Sequence, residues 1–257
     1  MNIDTIDIEK IKELSISAGE VIMRVYESPD IGIERKDDDS PLTKADLASS
    51  EVISSGLRGL YPEIPIISEE EVSAPYEKRK DWKQFWCVDP LDGTKEFIKK
   101  NGEFTVNIAL MECGVPVLGV VYAPVLGEMY WSDGKSSWRE VGGKKERIKA
   151  SHPKDKFVLV GSRSHQTPDL LEFMEQKRQE YGEVELISRG SSLKICMVAE
   201  GSAHAYYRGG PTMEWDTAAG HAVVRTAGAN LTQIDGVPFV YNKENLLNPG
   251  FIVCAKI

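Results

Sequence analysis

The stretch Phe85-Trp86-Cys87-Val88-Asp89-Pro90-Leu91-Asp92-Gly93-Thr94 constrains this chain more than any other. Its first four residues are apolar and read as the end of a buried strand. Gly93-Thr94 reads as the opening of a helix. Between them two carboxylates stand three residues apart around a proline. Asp89 and Asp92 can converge across a Pro90 turn, and carboxylate plus carbonyl oxygens suit a hard cation such as Mg2+. Backbone N–H groups at the helix start then face the same spot and favour a phosphate. A metal and a phosphate at one strand-to-helix corner is the layout of a metal-dependent phosphatase. The same letters also spell an ordinary acidic turn, so the motif needs its context. One chemistry is disfavoured by spacing alone. Phosphatases with an aspartyl nucleophile carry D-x-D-G-T, with the acids two apart, and Asp89 is not poised for that role.

With 257 residues the chain has material for one large domain or two small ones. Its formal net charge of −9 argues against a protein that coats nucleic acid, which would show a basic face. An anionic small substrate stays possible, because bound metal ions reverse a local field. No apolar run is long enough to cross a membrane. The acidic first ten residues lack the apolar core of a signal peptide, so a cytoplasmic location is expected, with loose association at a membrane surface left open. Cys87, Cys113, Cys196 and Cys254 are far apart in apolar contexts, with no C-x-x-C. Buried, reduced thiols are expected of them rather than a zinc site or disulfides.

Along the chain, the spacing of Ile8, Ile11, Leu14, Ala18, Val21, Ile22 and Val25 predicts an amphipathic helix over residues 4–27. A charged connector or hairpin follows at 30–40. There Lys36 is either a solvated loop lysine or a cation near a substrate phosphate. A second helix runs to about Leu60. Thr43 and Asp46 at its start resemble a capping box, and Asp46 either caps or orients a water. Residues 64–68 read as a strand followed by Glu69-Glu70-Glu71, whose first acid is well placed to reach a metal. Residues 72–83 read as a polar, mobile loop. Segments 104–112, 115–122 and 128–132 read as a meander, with Asp133-Gly134 as a hairpin signal. The polar stretch 142–156 is the best boundary, dividing an α+β unit at 1–145 from an α/β unit at 146–257.

The second unit is predicted to hold strands at 157–161, 184–187, 204–207 and 251–255. Helices are expected over Pro168–Tyr181, from about Ser192 to Gly201, and from Glu214 to Ala227. The serines of Arg189-Gly190-Ser191-Ser192 read as helix caps or as a grip on phosphate or ribose. Small residues in the last helix permit close packing, and Asp216 is its N-terminal acid. His165 and His221 read as structural histidines.

Three motifs, in order, carry a family likeness: Ile67-Ser68-Glu69-Glu70, Asp89-Pro90-Leu91-Asp92-Gly93-Thr94, and Trp215-Asp216-Thr217-Ala218-Ala219-Gly220. With them the chain resembles the inositol monophosphatase-like superfamily of metal-dependent, lithium-sensitive phosphatases. Gly93-Thr94-Lys95-Glu96-Phe97, Gly190-Ser191-Ser192-Leu193-Lys194, Gly210-Pro211-Thr212 and Leu247-Asn248-Pro249-Gly250-Phe251 are similar to the bisphosphate nucleotidase branch of that family. The likeness covers nearly the whole chain. It implies an α/β fold, a layered αβαβα sandwich of the sugar-phosphatase type, with metals at the junction of the two units. It implies that Glu69, Asp89, Asp92, Asp216 and the Leu91 carbonyl bind Mg2+, and that Gly93 and Thr94 hold the scissile phosphate. Asp46, Thr94 and Glu69 would be the catalytic residues, with Asp46 and Thr94 polarising the attacking water. Ser191, Ser192, Lys194 and Arg208 are candidates for the second phosphate and ribose, since guanidinium and ammonium groups suit phosphate. The implied reaction converts adenosine 3',5'-bisphosphate to AMP and phosphate, in a monomer or homodimer. An inositol or sugar phosphate on the same scaffold, and a non-catalytic metal- or nucleotide-binding regulator, are the rival readings.

Overall fold

The computed structural model describes residues 3–36, 40–152, 156–161 and 167–255. A short 3-10 turn (Ile3–Thr5) precedes helix α1 (Ile8–Tyr26), which is capped by the Asp7 side chain accepting from Glu9 N. Ile11, Ser15, Ala18 and Ile22 form its buried stripe, the three-to-four spacing of an amphipathic helix. Strands β1 (Glu34–Arg35) and β2 (Pro41–Leu42) pair antiparallel, so the charged connector is a hairpin. Helix α2 (Lys44–Leu60) packs on α1.

Next comes the larger sheet. Its strands are β3 (Ile66–Ser68), β4 (Gln84–Asp92), β5 (Thr105–Glu112), β6 (Val115–Ala123), β7 (Glu128–Ser132), β8 (Ser137–Val141) and β9 (Lys144–Ile148), in that spatial order. Only the β3–β4 pair is parallel. Short helices α3 (Tyr76–Arg79) and α4 (Thr94–Ile98) flank β4. On β5, Val106, Ile108 and Leu110 face the α1–α2 side, while Ala109 and Met111 belong to the core on the other side. A strand covered on both faces is apolar without interruption, which is why this segment reads so clearly in the sequence.

The smaller sheet contains β10 (Phe157–Gly161), β11 (Val184–Ser188), β12 (Ala205–Arg208), β14 (Ala229–Gln233) and β16 (Phe251–Ala255). Its order is β11-β10-β12-β16-β14, parallel between β11, β10 and β12 and antiparallel beyond. β13 (Thr212–Met213) pairs with β15 (Leu247–Asn248) beside it. Helix α5 (Pro168–Tyr181) packs on β10 and β11. Helices α6 (Leu193–Glu200) and α7 (Glu214–Ala227) lie between the sheets, and α7 touches strands of both. The layers are therefore α1/α2, large sheet, α6/α7, small sheet and α5, the expected αβαβα sandwich.

Several expectations need correction. The acidic motif is not a turn between strand and helix, because β4 runs through Pro90 to Asp92. Residues 72–83 are not simply a mobile loop. They include α3, whose Arg79 is buried and donates to Asn242 Oδ1 and Glu244 O, both at 2.8 Å. The polar stretch 142–156 contains β9, and the division expected at 145/146 falls within that strand. Cys87 and Cys196 are buried, but Cys113 is exposed on the β5–β6 turn and Cys254 is half-buried. His165 lies outside the described residues. Among the described residues no helix is long and apolar enough to cross a membrane.

Candidate active site

The centre is built by an irregularity in β4. Asp89 pairs with Asn107 of β5, and Asp92 pairs with Thr105, so three steps on one strand oppose two on the other. This is a β-bulge. In a regular strand, side chains three apart point to opposite faces. The extra residue returns Asp92 to the face of Asp89. Proline lacks an N–H and is tolerated at such a break. Pro90 O instead accepts from Ser49 Oγ of α2 at 2.7 Å, and Leu91 N donates to Asp89 Oδ1 at 3.0 Å. Gly93, at φ +94°, turns the chain into α4 in a conformation most side chains avoid.

Glu69, just after β3, Asp89 on β4 and Asp216 on α7 bring one carboxylate oxygen each within 4.8 Å of the others. Asp89 is 1% exposed. Burial raises its pKa well above the ordinary range, and Glu69, Asp92 and Asp216 add repulsion. Burial and then Asp92 push Asp216 up to about 8. Burial also raises Glu69, against the pull of Lys36. Lys36 Nζ stands 2.7 Å from Glu69 and 2.6 Å from Glu70, and these anions raise its pKa although burial opposes them. The lysine is thus paired with acids of the centre rather than solvated. Oxygen donors packed this closely, and resisting ionisation together, fit a hard divalent cation. Asp92 stands beside the trio, accepting from Ser192 N at 2.5 Å and Ser192 Oγ at 2.8 Å.

Asp46 does two things at once. Its Oδ2 accepts from Thr43 N at 2.7 Å and Thr43 Oγ1 at 2.6 Å, and Thr43 Oγ1 accepts from Ala45 N at 3.2 Å, completing the capping box. Its Oδ1 accepts from Thr94 Oγ1 at 3.1 Å. Cap and partner of Thr94 are therefore compatible readings of one carboxylate. Asp46 is 2% exposed, and burial raises its pKa against those hydrogen bonds.

A cavity opens next to the acids. Asp92, Gly93, Ser191, Ser192, Lys194, Arg208 and Asp216 all line it, whereas Glu69, Leu91 and Thr94 lie off its wall. Ser192 occupies the N-cap position of α6, but its side chain makes no capping hydrogen bond, and its hydroxyl sits between Asp92 and the Asp216 carbonyl. Ser191 Oγ is buried with no hydrogen-bond partner among the described residues. Lys194 Nζ donates to Ser191 O at 2.7 Å, and burial lowers its pKa to about 8 although Asp92 opposes this. Arg208 Nε donates to Gly210 O at 3.2 Å. Lys95, Lys99, Arg189 and Glu103 also line the cavity and were missed in the sequence. Lys95 and Lys99 have a usable signal, four apart on a helix that starts at the motif. Glu103 and Arg189 have none, because only the fold brings them together. His221 is buried with Nδ1 3.0 Å from Tyr241 Oη, a structural role as expected.

Comparison with known proteins matches residues 4–251 to the inositol monophosphatase family. The 3'(2'),5'-bisphosphate nucleotidase CysQ of Salmonella typhimurium is 50% identical over 248 residues, covering 96% of this chain and 98% of that protein. Its Escherichia coli counterpart is 47% identical over the same shares. The crystal structure of CysQ from Bacteroides thetaiotaomicron, a bacterial member of the inositol monophosphatase family, superposes with a TM-score of 0.87. It shares 45% identity, with 97% of each chain covered. An inositol monophosphatase from Anabaena superposes at a TM-score of 0.73 with 25% identity, covering 96% of this chain and 89% of that one.

Proposed function

The chain belongs to the inositol monophosphatase family, and from that membership we propose a 3'(2'),5'-bisphosphate nucleotidase that hydrolyses adenosine 3',5'-bisphosphate to AMP and phosphate. The observation that carries the reading is the acid trio Glu69, Asp89 and Asp216, which brings one carboxylate oxygen each within 4.8 Å of the others around the buried Asp89, an arrangement that suits a cation. Mg2+ is the proposed ion, held by those three acids with Asp92 and the Leu91 carbonyl. When bound it would acidify a water, clamp phosphoryl oxygens and neutralise the leaving alkoxide.

The chain's own residues supply the rest. Thr94 donates to Asp46 and so keeps its lone pairs for a water proton, which links acceptor and nucleophile through one hydroxyl. Gly93 and Thr94 N–H groups would hold the scissile phosphate. The water oxygen bonds to phosphorus as the ester oxygen leaves, and no phospho-enzyme is needed. Ser191, Ser192, Lys194 and Arg208 line the neighbouring cavity and would take the ribose and second phosphate. Lys194 donates as an ammonium, and an incoming anion would restore the charge that burial disfavours.

The test is phosphate release from adenosine 3',5'-bisphosphate with and without Mg2+, beside inositol 1-phosphate at equal concentration. Mg2+-dependent release favouring the nucleotide is expected. Preference for inositol phosphate would overturn the substrate, and no release from either would favour a non-catalytic binding protein. A cytoplasmic monomer or homodimer is the proposed setting, to be checked by fractionation and sedimentation. The fold offers no support for association with a membrane surface.

A further inference from the structure

Glu103 lies just before β5, in the first half of the chain, and is 5% exposed. Its carboxylate accepts from Gly190 N at 2.9 Å and from Arg189 Nη1 at 3.0 Å, both in the second half. Its backbone touches the same place. A Cβ added at Gly190 would stand 2.5 Å from Glu103 O, so only glycine fits without moving the backbone. Both parts of one residue therefore seat the 189–192 loop.

That loop needs seating. Ser191 has φ +46°, a region sparsely occupied by residues other than glycine. Such conformations persist where their surroundings over-determine them. The loop also carries much of the site. Ser191 Oγ is buried in the cavity wall without a partner among the described residues, and Ser192 holds Asp92 with both its N–H and its hydroxyl.

We propose that Glu103 is a positioning residue, fixing the Arg189–Ser192 loop against the first half of the chain and thereby orienting Asp92 and the Ser191 hydroxyl. Its operative part is the oxygen that accepts from Gly190, not its charge. Gly190 is buried, and a backbone donor withdrawn from water needs a partner. The Arg189 side chain is 39% exposed, so solvent screening leaves that ion pair little weight.

Two variants separate these terms. Glu103→Gln keeps an oxygen acceptor, and Glu103→Ala removes it. Amide hydrogen exchange at Gly190 to Ser192 is expected to quicken about tenfold or more in the alanine variant, the size of leaving one buried amide unpaired. It should stay near the parent's in the glutamine variant. The KM for adenosine 3',5'-bisphosphate should rise about tenfold in the alanine variant, with a smaller fall in kcat, and glutamine should restore most of it. Unchanged exchange in Glu103→Ala, or equal opening in both variants, overturns the proposal. If the alanine variant does not fold, Gly190→Ala serves, since its Cβ pushes the loop off Glu103 O. Normal protection there also overturns it. The KM arm rests on the nucleotidase reading and the exchange arm does not. A parent enzyme inert toward the nucleotide would refute that reading alone.

Discussion

Glu214 and Asp216 stand two residues apart at the start of α7, in opposite surroundings. Glu214 is fully buried, and it accepts from Asn242 N at 2.7 Å, Lys243 N at 3.0 Å and Lys243 Nζ at 2.7 Å. Asp216 accepts from Met213 N at 2.8 Å but faces Asp92 and Glu69, and it is pushed up to about 8. One acid is surrounded by donors and fastens the loop after β14 to the helix. The other is surrounded by acids and keeps a place for a positive ion. Burial alone does not mark a functional carboxylate. A carboxylate withdrawn from water and crowded by other acids is the stronger sign.

Asp216→Asn tests the contrast most severely. Turnover should fall about 10³-fold or more, the scale of removing a group that stabilises transition-state charge. The metal-free protein should melt higher than the parent near neutral pH, because a carboxyl whose ionisation the fold opposes is gone. A lower melting temperature would place Asp216 with Glu214 among the structural acids. Asp46→Asn comes next. Asp46 is well supplied with donors and yet aimed at Thr94, so it joins both classes. A loss of about 10²-fold in kcat is expected from impaired proton transfer, with about 1 kcal/mol of stability lost from the cap. A stability loss without a kcat effect would reduce Asp46 to a cap.

Glu214→Ala should do the reverse of Asp216→Asn. It strands the Asn242 and Lys243 donors, which costs about 2 kcal/mol, while the specific activity of the folded fraction holds. Full stability would refute its structural role. The smallest effect is on pH dependence. The folded-state pKa of Asp216 is raised from 3.8 to about 8. Its contribution to metal-free stability is therefore fully present below about 3.8 and lost as pH rises through about 8. Added Mg2+ should stabilise more on the alkaline side of that window. Calorimetric melting scans with and without metal would show it, and a flat metal increment across the window would contradict it.

The sequence carried most of the frame. β10, α5, α7 and β16 fall where their apolar runs, caps and glycines put them, since each is set by local chemistry. β8 and β9 were missed. β9 reads Lys-Lys-Glu-Arg-Ile and is exposed for four of its five residues. Charge guards an edge strand against stray pairing, and it also erases the apolar pattern by which a strand is recognised. At the site, the acids of the three motifs were legible as types. Their shared role came from the family likeness, not from local pattern. The bulge that turns Asp92 to the side of Asp89 depends on pairing with β5. Ser192 reads as a helix cap or as a grip on phosphate or ribose, and neither reading foresees that Asp92 takes its hydroxyl from across the molecule. The Glu103–Gly190 contact joins residues 87 apart and leaves no local trace.

The place of α7 between the two sheets also bears on how the protein is made. The large sheet is nearly all neighbouring hairpins, contacts of short range that form quickly. A chain leaving the ribosome can therefore assemble β3 to β9 and display Glu69 and Asp89 before residue 216 exists. The cluster closes only when α7 docks into the gap, a long-range step of assembly. Refolding should then show the sheet first and activity only once the helix has docked. A chain that stops short of α7 would hold only part of the acid cluster, so catalysis is expected to wait for that helix.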